Sequence, residues 1–155
     1  MAALFAASAA EAACNDAAAP GVDWRRCVHD GADYVRQELR GALLRDASFA
    51  FANLSGAGLE RVEAYHAKFI NANLAGAKLE GANLGEADFT RADLRGASLR
   101  GADLSRAHFF RAVLRDADLT GAHLAGADLA NADLGGALWI DGKRRCAADS
   151  LGQCN

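Results

Sequence analysis

The sequence predicts an all-β fold, a four-sided β-solenoid, and three observations carry that reading. Alanine, replaced once by Val62, recurs at every fifth position from Ala42 to Ala137. A Leu or Phe stands two residues after each of them, except at Ala64 and Trp139. Phenylalanine takes that second place at Phe49, Phe69, Phe89 and Phe109, once in every twenty residues. An unbroken short period of this kind is one structural unit stacked many times.

Neither a helix nor a long strand can use a five-residue period. Residues five apart on an α-helix differ by roughly 140° around the axis, so no face collects the apolar positions. On a strand an odd period sends successive units to opposite faces. A short extended piece fits, with Ala and Leu/Phe both inward and the residue between them outward. The next two or three residues, rich in Gly, Ser, Asn and Asp, form a corner. Phe every twenty residues then means four units per coil, with the phenylalanines in one inner column and Leu129 continuing it. The volumes agree, since the small Ala64 is compensated by Val62 in the place normally held by alanine. At about 4.8 Å of rise per coil, the regular part spans roughly 24 Å.

The chain divides accordingly. Residues 1–13 resemble the end of a secretory signal, with a short apolar core and Ala10-Glu11-Ala12 as an A-x-A cleavage site. The charged segment expected before it would lie upstream of Met1, and an Ala-rich tail remains the alternative reading. Residues 14–40 read as an N-terminal cap with degenerate repeats, in which Trp24, His29 and Tyr34 keep the register. Tyr34–Leu39, which lacks corner residues, is expected to form a short helix. Residues 41–140 are the regular solenoid. Residues 141–155 form a C-terminal cap that begins with a turn at Asp141-Gly142, below an apolar lid of Leu138, Trp139 and Ile140.

The four cysteines stand outside the regular repeats, Cys14 and Cys27 before them and Cys146 and Cys154 after. Bridged cysteines need Cα atoms within about 7 Å. Across a rod tens of Å long, only Cys14–Cys27 and Cys146–Cys154 meet that limit, and a zinc site of all four thiolates fails on the same geometry. Disulfides at both ends imply an oxidising compartment.

The unit Ala92-Asp93-Leu94-Arg95-Gly96, repeated as Ala102-Asp103-Leu104-Ser105-Arg106, resembles the pentapeptide repeat family. The resemblance covers about two-thirds of the chain and implies a right-handed quadrilateral β-helix. It also brings in a functional class, because some such proteins protect DNA gyrase by mimicking the acidic surface of a duplex.

Composition argues against several tasks. A net charge of −3, from seventeen basic and twenty acidic residues, marks neither a nucleic-acid binder nor a strongly acidic decoy. No apolar run approaches the roughly 18 residues of a membrane span. His29, His66, His108 and His123 fall at different repeat positions, without metal-ligand spacing. Asp88, Asp93, Asp103, Asp118, Asp128 and Asp133 share their outward position with Asn53, Asn73 and Asn83, which suits side chains bonded to turn backbone better than calcium. No nucleophile–base grouping appears, and a convex rod has no cleft to exclude water. No enzyme activity, cofactor or metal is expected.

The twenty-residue register also sorts the surface. Glu80 is expected over Arg100, with Glu60 beneath, and Glu86 over Arg106. Arg91 lies over Arg111 and Arg95 over Arg115, with Phe110 and Val113 alongside and Asp93 and Asp116 near enough to offset part of the charge. Arginine beside an exposed aromatic is typical of interface hot spots. Arg91, Arg95, Phe110, Arg111 and Arg115 are therefore the candidate binding patch. The function expected is a secreted or periplasmic, non-enzymatic structural or protein-interaction module of a bacterial envelope, monomeric or an end-to-end dimer. Two alternatives are an anion- or carbohydrate-binding envelope protein using the arginine patch and a DNA mimic directed at gyrase.

Overall fold

Each five-residue unit makes a short extended piece and a corner because its residues suit different backbone regions. In Ala52-Asn53-Leu54-Ser55-Gly56, Ala52 and Leu54 point inward and are fully buried. The Leu54 carbonyl accepts the Ala57 N–H at 3.0 Å, and Gly56, third in that turn, has φ +64°. This is type II geometry, whose third residue must be left-handed. Glycine holds that place at no steric cost, while Asp46, His66, Asn71 and Arg91 hold it elsewhere. The outward Asx residues stabilise the corners. Asp88 accepts the Thr90 N–H and Asp128 the Ala130 N–H, each at 2.9 Å, as the sequence implied.

The structure, a computed structural model, describes residues 13–155. Apart from Ala13, the segment read as a signal remnant lies outside the described residues. Coils stack through a parallel ladder with a constant offset of twenty residues, from Asp23↔Leu43 to Asp118↔Leu138. The bonds alternate in direction: the Leu54 N–H donates to Asn73 O at 2.7 Å, and the Asn73 N–H donates back to Ala52 O at 2.9 Å.

Inside this ladder the phenylalanines form one column. Phe49, Phe69, Phe89 and Phe109 are fully buried, with successive centroids 5.5, 5.1 and 4.9 Å apart and planes within 8° of parallel. Each buried Leu or Phe contributes on the order of 1.5–3 kcal/mol. Val62 and Ala64 are both fully buried, in keeping with the exchange of volume between them.

The first coil departs from expectation. Tyr34–Leu39 is not helical: Asp33 pairs with Asn53 and Glu38 with Gly58, and Arg36 makes the corner at φ +54°. Local propensity loses to the open edge of the following coil, which accepts the Tyr34 and Leu39 N–H groups at 2.7 Å and buries Leu39 completely. The regular ladder thus begins at Asp23.

His29 heads the phenylalanine column, stacked on Phe49 at 5.3 Å and packed against Trp24 at 4.2 Å. Its Nδ1 lies 2.7 Å from the Tyr34 hydroxyl, and its Nε2 is buried without a partner among the described residues. Burial holds the imidazole below its ordinary value of 6.5, and the nearby Asp30 opposes only part of the shift. Below pH 6.5 the unfolded chain therefore binds a proton that the folded one resists, so stability rises with pH across that window. The thermal unfolding midpoint is expected to be level above pH 6.5 and to fall as pH drops from there. A His29→Phe variant should lose that step, and an unchanged profile in the variant would remove His29 as its source.

At the other end the chain turns at Asp141-Gly142, where the Asp141 carboxylate accepts the N–H groups of Lys143 and Arg144 at 2.9 Å. It returns antiparallel beneath the last coil, pairing Leu138 with Arg145 and Asp133 with Leu151. These pairings occupy backbone groups that a further coil would otherwise satisfy. Disulfides join Cys14 to Cys27 (Cα–Cα 5.4 Å) and Cys146 to Cys154 (4.7 Å), the two pairs that the rod geometry permitted.

Candidate functional site

Stacking at an offset of twenty residues turns each repeat position into a surface column, so chemistry here is a matter of which columns adjoin. One corner carries Phe51, Asn71, Arg91 and Arg111, all left-handed, with φ from 55° to 59°. Each is bonded to the residue preceding its neighbour in the next coil: Phe51 N–H to Ile70 O at 2.9 Å, Asn71 to Thr90 at 3.0 Å, and Arg91 to Phe110 at 2.9 Å. The corner is thus a double file, with Ile70, Thr90 and Phe110 half-buried beside it.

The five predicted patch residues separate into two groups. Arg91 and Arg111 lie together on this corner, exposed, and neither has a carboxylate partner among the described residues. The Arg111 guanidinium lies 5.1 Å from the centroid of the Phe110 ring, which is half-buried rather than fully exposed. Arg95 and Arg115 are neutralised on the next face. Arg95 grips Asp93 at 2.5 Å and, by donating to it, holds that carboxyl below the usual carboxylate range. Arg115 bonds Asp133 at 3.0 Å, not Asp116, and reaches the Ala148 carbonyl at 3.4 Å. A side chain at Gly135 would collide with both groups, the carbonyl at 2.6 Å and the guanidinium at 2.9 Å.

Of the other expected pairs, Glu86–Arg106 forms at 2.6 Å and Glu60 pairs with Arg40 at 3.1 Å. Arg100 turns from Glu80 to Asp118 at 2.9 Å, a sideways reach that column stacking alone does not foresee.

Two features escaped the sequence reading. Phe51 is 69% exposed, although the register that paired Arg91 with Arg111 also places it in their column. A shallow groove of about 510 Å³ is lined by His66, Lys68, Glu86, Asp88, Arg106 and His108 and ends at Gly126. It brings together two histidines that repeat position had set apart. His66 lies 2.8 Å from Asp46. Glu86 accepts from the Tyr65 hydroxyl and from Arg106, which together hold it below the usual carboxylate range. Charges alternate through the groove. Among the described residues no group of His, Cys, Asp and Glu is arranged to hold a metal ion.

A sequence profile of pentapeptide repeats matches eight copies in this chain, over residues 30–61, 67–106 and 107–137. The chain belongs to the pentapeptide repeat family. Pentapeptide repeat proteins form right-handed quadrilateral β-helices, and they serve in general as structural or protein-interaction modules rather than as enzymes. Among solved structures, the chain resembles HetL, a pentapeptide repeat protein involved in heterocyst differentiation regulation in the cyanobacterium Nostoc sp. strain PCC 7120. Identity is 35% over 79% of this chain and 66% of HetL, with a TM-score of 0.55. Rfr23 from the cyanobacterium Cyanothece 51142 shares the fold at 23% identity, covering 76% of this chain and 90% of Rfr23, with a TM-score of 0.63. Full-length QnrB1, a plasmid-mediated fluoroquinolone resistance protein, shares it at 18% identity, 71% and 73% coverage and a TM-score of 0.50. No curated protein matches the chain.

Proposed function

We propose that this pentapeptide repeat protein is an exported, non-enzymatic protein-interaction module of a bacterial envelope, with each end of its rod pinned by a disulfide. The observation that carries this reading is the use of all four cysteines in two terminal bridges, with no free thiol among the described residues. Such bridges persist in oxidising compartments and are rare in the reducing cytosol. Among the described residues no helix is long and apolar enough to cross a membrane. The surface is a set of convex columns, better suited to contact with a macromolecule than to enclosing a substrate.

The test is fractionation of the producing bacterium with maleimide labelling before and after reduction, and sequencing of the N-terminus. Export predicts labelling only after reduction and a mature chain beginning beside Ala13. A cytosolic protein with reactive thiols and an intact Met1 would overturn it.

The second reading, an envelope protein that binds an anion or a carbohydrate, is favoured by Arg91 and Arg111, which have no carboxylate partner among the described residues. A DNA mimic draws less support, because acidic side chains are paired with arginines on several faces, as at Arg40–Glu60, Arg95–Asp93 and Arg100–Asp118.

A further inference from the structure

Phe51 stands out on the surface of the solenoid. Among the described residues thirteen other than glycine adopt a positive φ, and Phe51 is the only apolar one of them. Bulky side chains rarely take that conformation, and strain of this kind tends to collect at functional positions. Phe51 is also 69% exposed, so its ring contributes little to the core. Its N–H serves the ladder, but the corner does not need its side chain, since Asn71 makes the same corner one coil on at φ 55°. An exposed apolar ring in a strained place is more economically explained by what it meets outside the molecule.

The rest of the corner indicates what that is. Ile70 adjoins the Phe51 corner in the next coil, and Arg91 and Arg111 follow in the same column beyond Asn71, with Phe110 beside them. Like charges on neighbouring coils repel, and among the described residues no carboxylate pairs with either. The outward acids that flank Arg91 in sequence bond elsewhere, Asp88 to the Thr90 N–H at 2.9 Å and Asp93 to Arg95. The ridge is convex, which favours an extended chain laid along it over an enclosed small molecule. From Phe51 to Arg111 it crosses three coil rises, about 14 Å, the length of four or five extended residues.

We infer that the ridge Phe51–Ile70–Arg91–Phe110–Arg111 is the docking edge of the module, and that its partner is an extended protein segment with apolar residues followed by carboxylates. This rests on the interaction-module reading but not on export. The apolar residues cover Phe51 and Ile70, and the carboxylates take charge-assisted hydrogen bonds from Arg91 and Arg111.

The probe is a fluorescein-labelled peptide, Leu-Phe-Glu-Ser-Glu-Leu, titrated by anisotropy against the oxidised full chain. Saturable binding is expected, with no binding of the same peptide carrying Lys for Glu. Phe51→Asn and the double variant Arg91→Glu, Arg111→Glu should each weaken it at least about tenfold. Arg61→Glu, on a different corner, should change it little. Phe51→Asn should leave the thermal midpoint unchanged or raise it, because asparagine tolerates the left-handed corner. The proposal is overturned if the acidic peptide does not bind, or if Arg61→Glu weakens it equally. A lower midpoint in Phe51→Asn would make the ring structural and equally overturn it. Binding of an oligouronate that depends on Arg91 but not on Phe51 would assign the edge to acidic polysaccharide instead. Reactive thiols in the cytosol would sink export and leave this result intact.

Discussion

Replacing Phe89 with alanine is expected to destabilise the protein by about 3–5 kcal/mol, near the top of the range for a single side chain. The ring lies between Phe69 and Phe109, with centroids 5.1 and 4.9 Å away and all three rings fully buried. A core usually relieves such a deletion by partial collapse. Here the coils are held apart by backbone bonds, Phe89 N–H to His108 O at 2.7 Å and Asp88 N–H to Ala67 O at 2.9 Å. The space left by the ring should therefore remain, and the cavity cost adds to the lost transfer energy. Guanidinium denaturation followed by far-ultraviolet circular dichroism measures it. A loss below about 1 kcal/mol would mean that the column relaxes freely.

The second large effect is expected at the N-terminal end. The Cys14–Cys27 bridge closes a loop over a sequence separation of 13 and holds Cys14 and Ala18 against the core cluster that contains Trp24, which is 1% exposed. Converting both cysteines to serine should remove about 2–4 kcal/mol. In a solenoid each coil contacts only its neighbours, so the loss should concentrate in the terminal coils rather than spread through the molecule. Hydrogen exchange is the appropriate readout: the Trp24, His29 and Tyr34 amides should lose protection, while those of Phe89 and Leu94 should keep it. Uniform loss along the whole chain would contradict nearest-neighbour stacking.

The architecture was legible because the period acts at two levels. Ala and Leu/Phe two residues apart defined the extended piece, and Phe every twenty residues gave the number of sides. The pairing of cysteines followed from the length of the rod. What failed was local: Tyr34–Leu39 has helix-forming composition, yet its environment is a ladder edge supplied by residues twenty positions later. The surface was legible only along columns. Glu86 meets Arg106 because both lie in one column. Arg100 instead reaches Asp118 in the neighbouring column, and Arg115 reaches Asp133 in the same way, because long side chains cross between columns. The groove joining His66 to His108 was missed for a related reason, since it spans adjacent columns two coils apart. Phe51 was within reach of the register, but attention to charge passed over an apolar member of an arginine column.

The constant offset of twenty residues has a consequence for how such a chain tolerates change, because it works as a reading frame. Duplicating or deleting twenty residues would lengthen or shorten the rod by one layer and leave the columns beyond it in place. Inserting a single unit of five would satisfy every local preference for turn and core, yet rotate everything downstream by a quarter turn. Placed between Glu86 and Arg106, it would part that pair, move Arg111 away from Arg91 and break the column in which Phe69, Phe89 and Phe109 stack. Indels of twenty residues can therefore change the length of the rod while keeping both surface and core columns, whereas an insertion of five would scramble the docking edge and unstack the phenylalanines together, so that a drop in stability would accompany the lost surface.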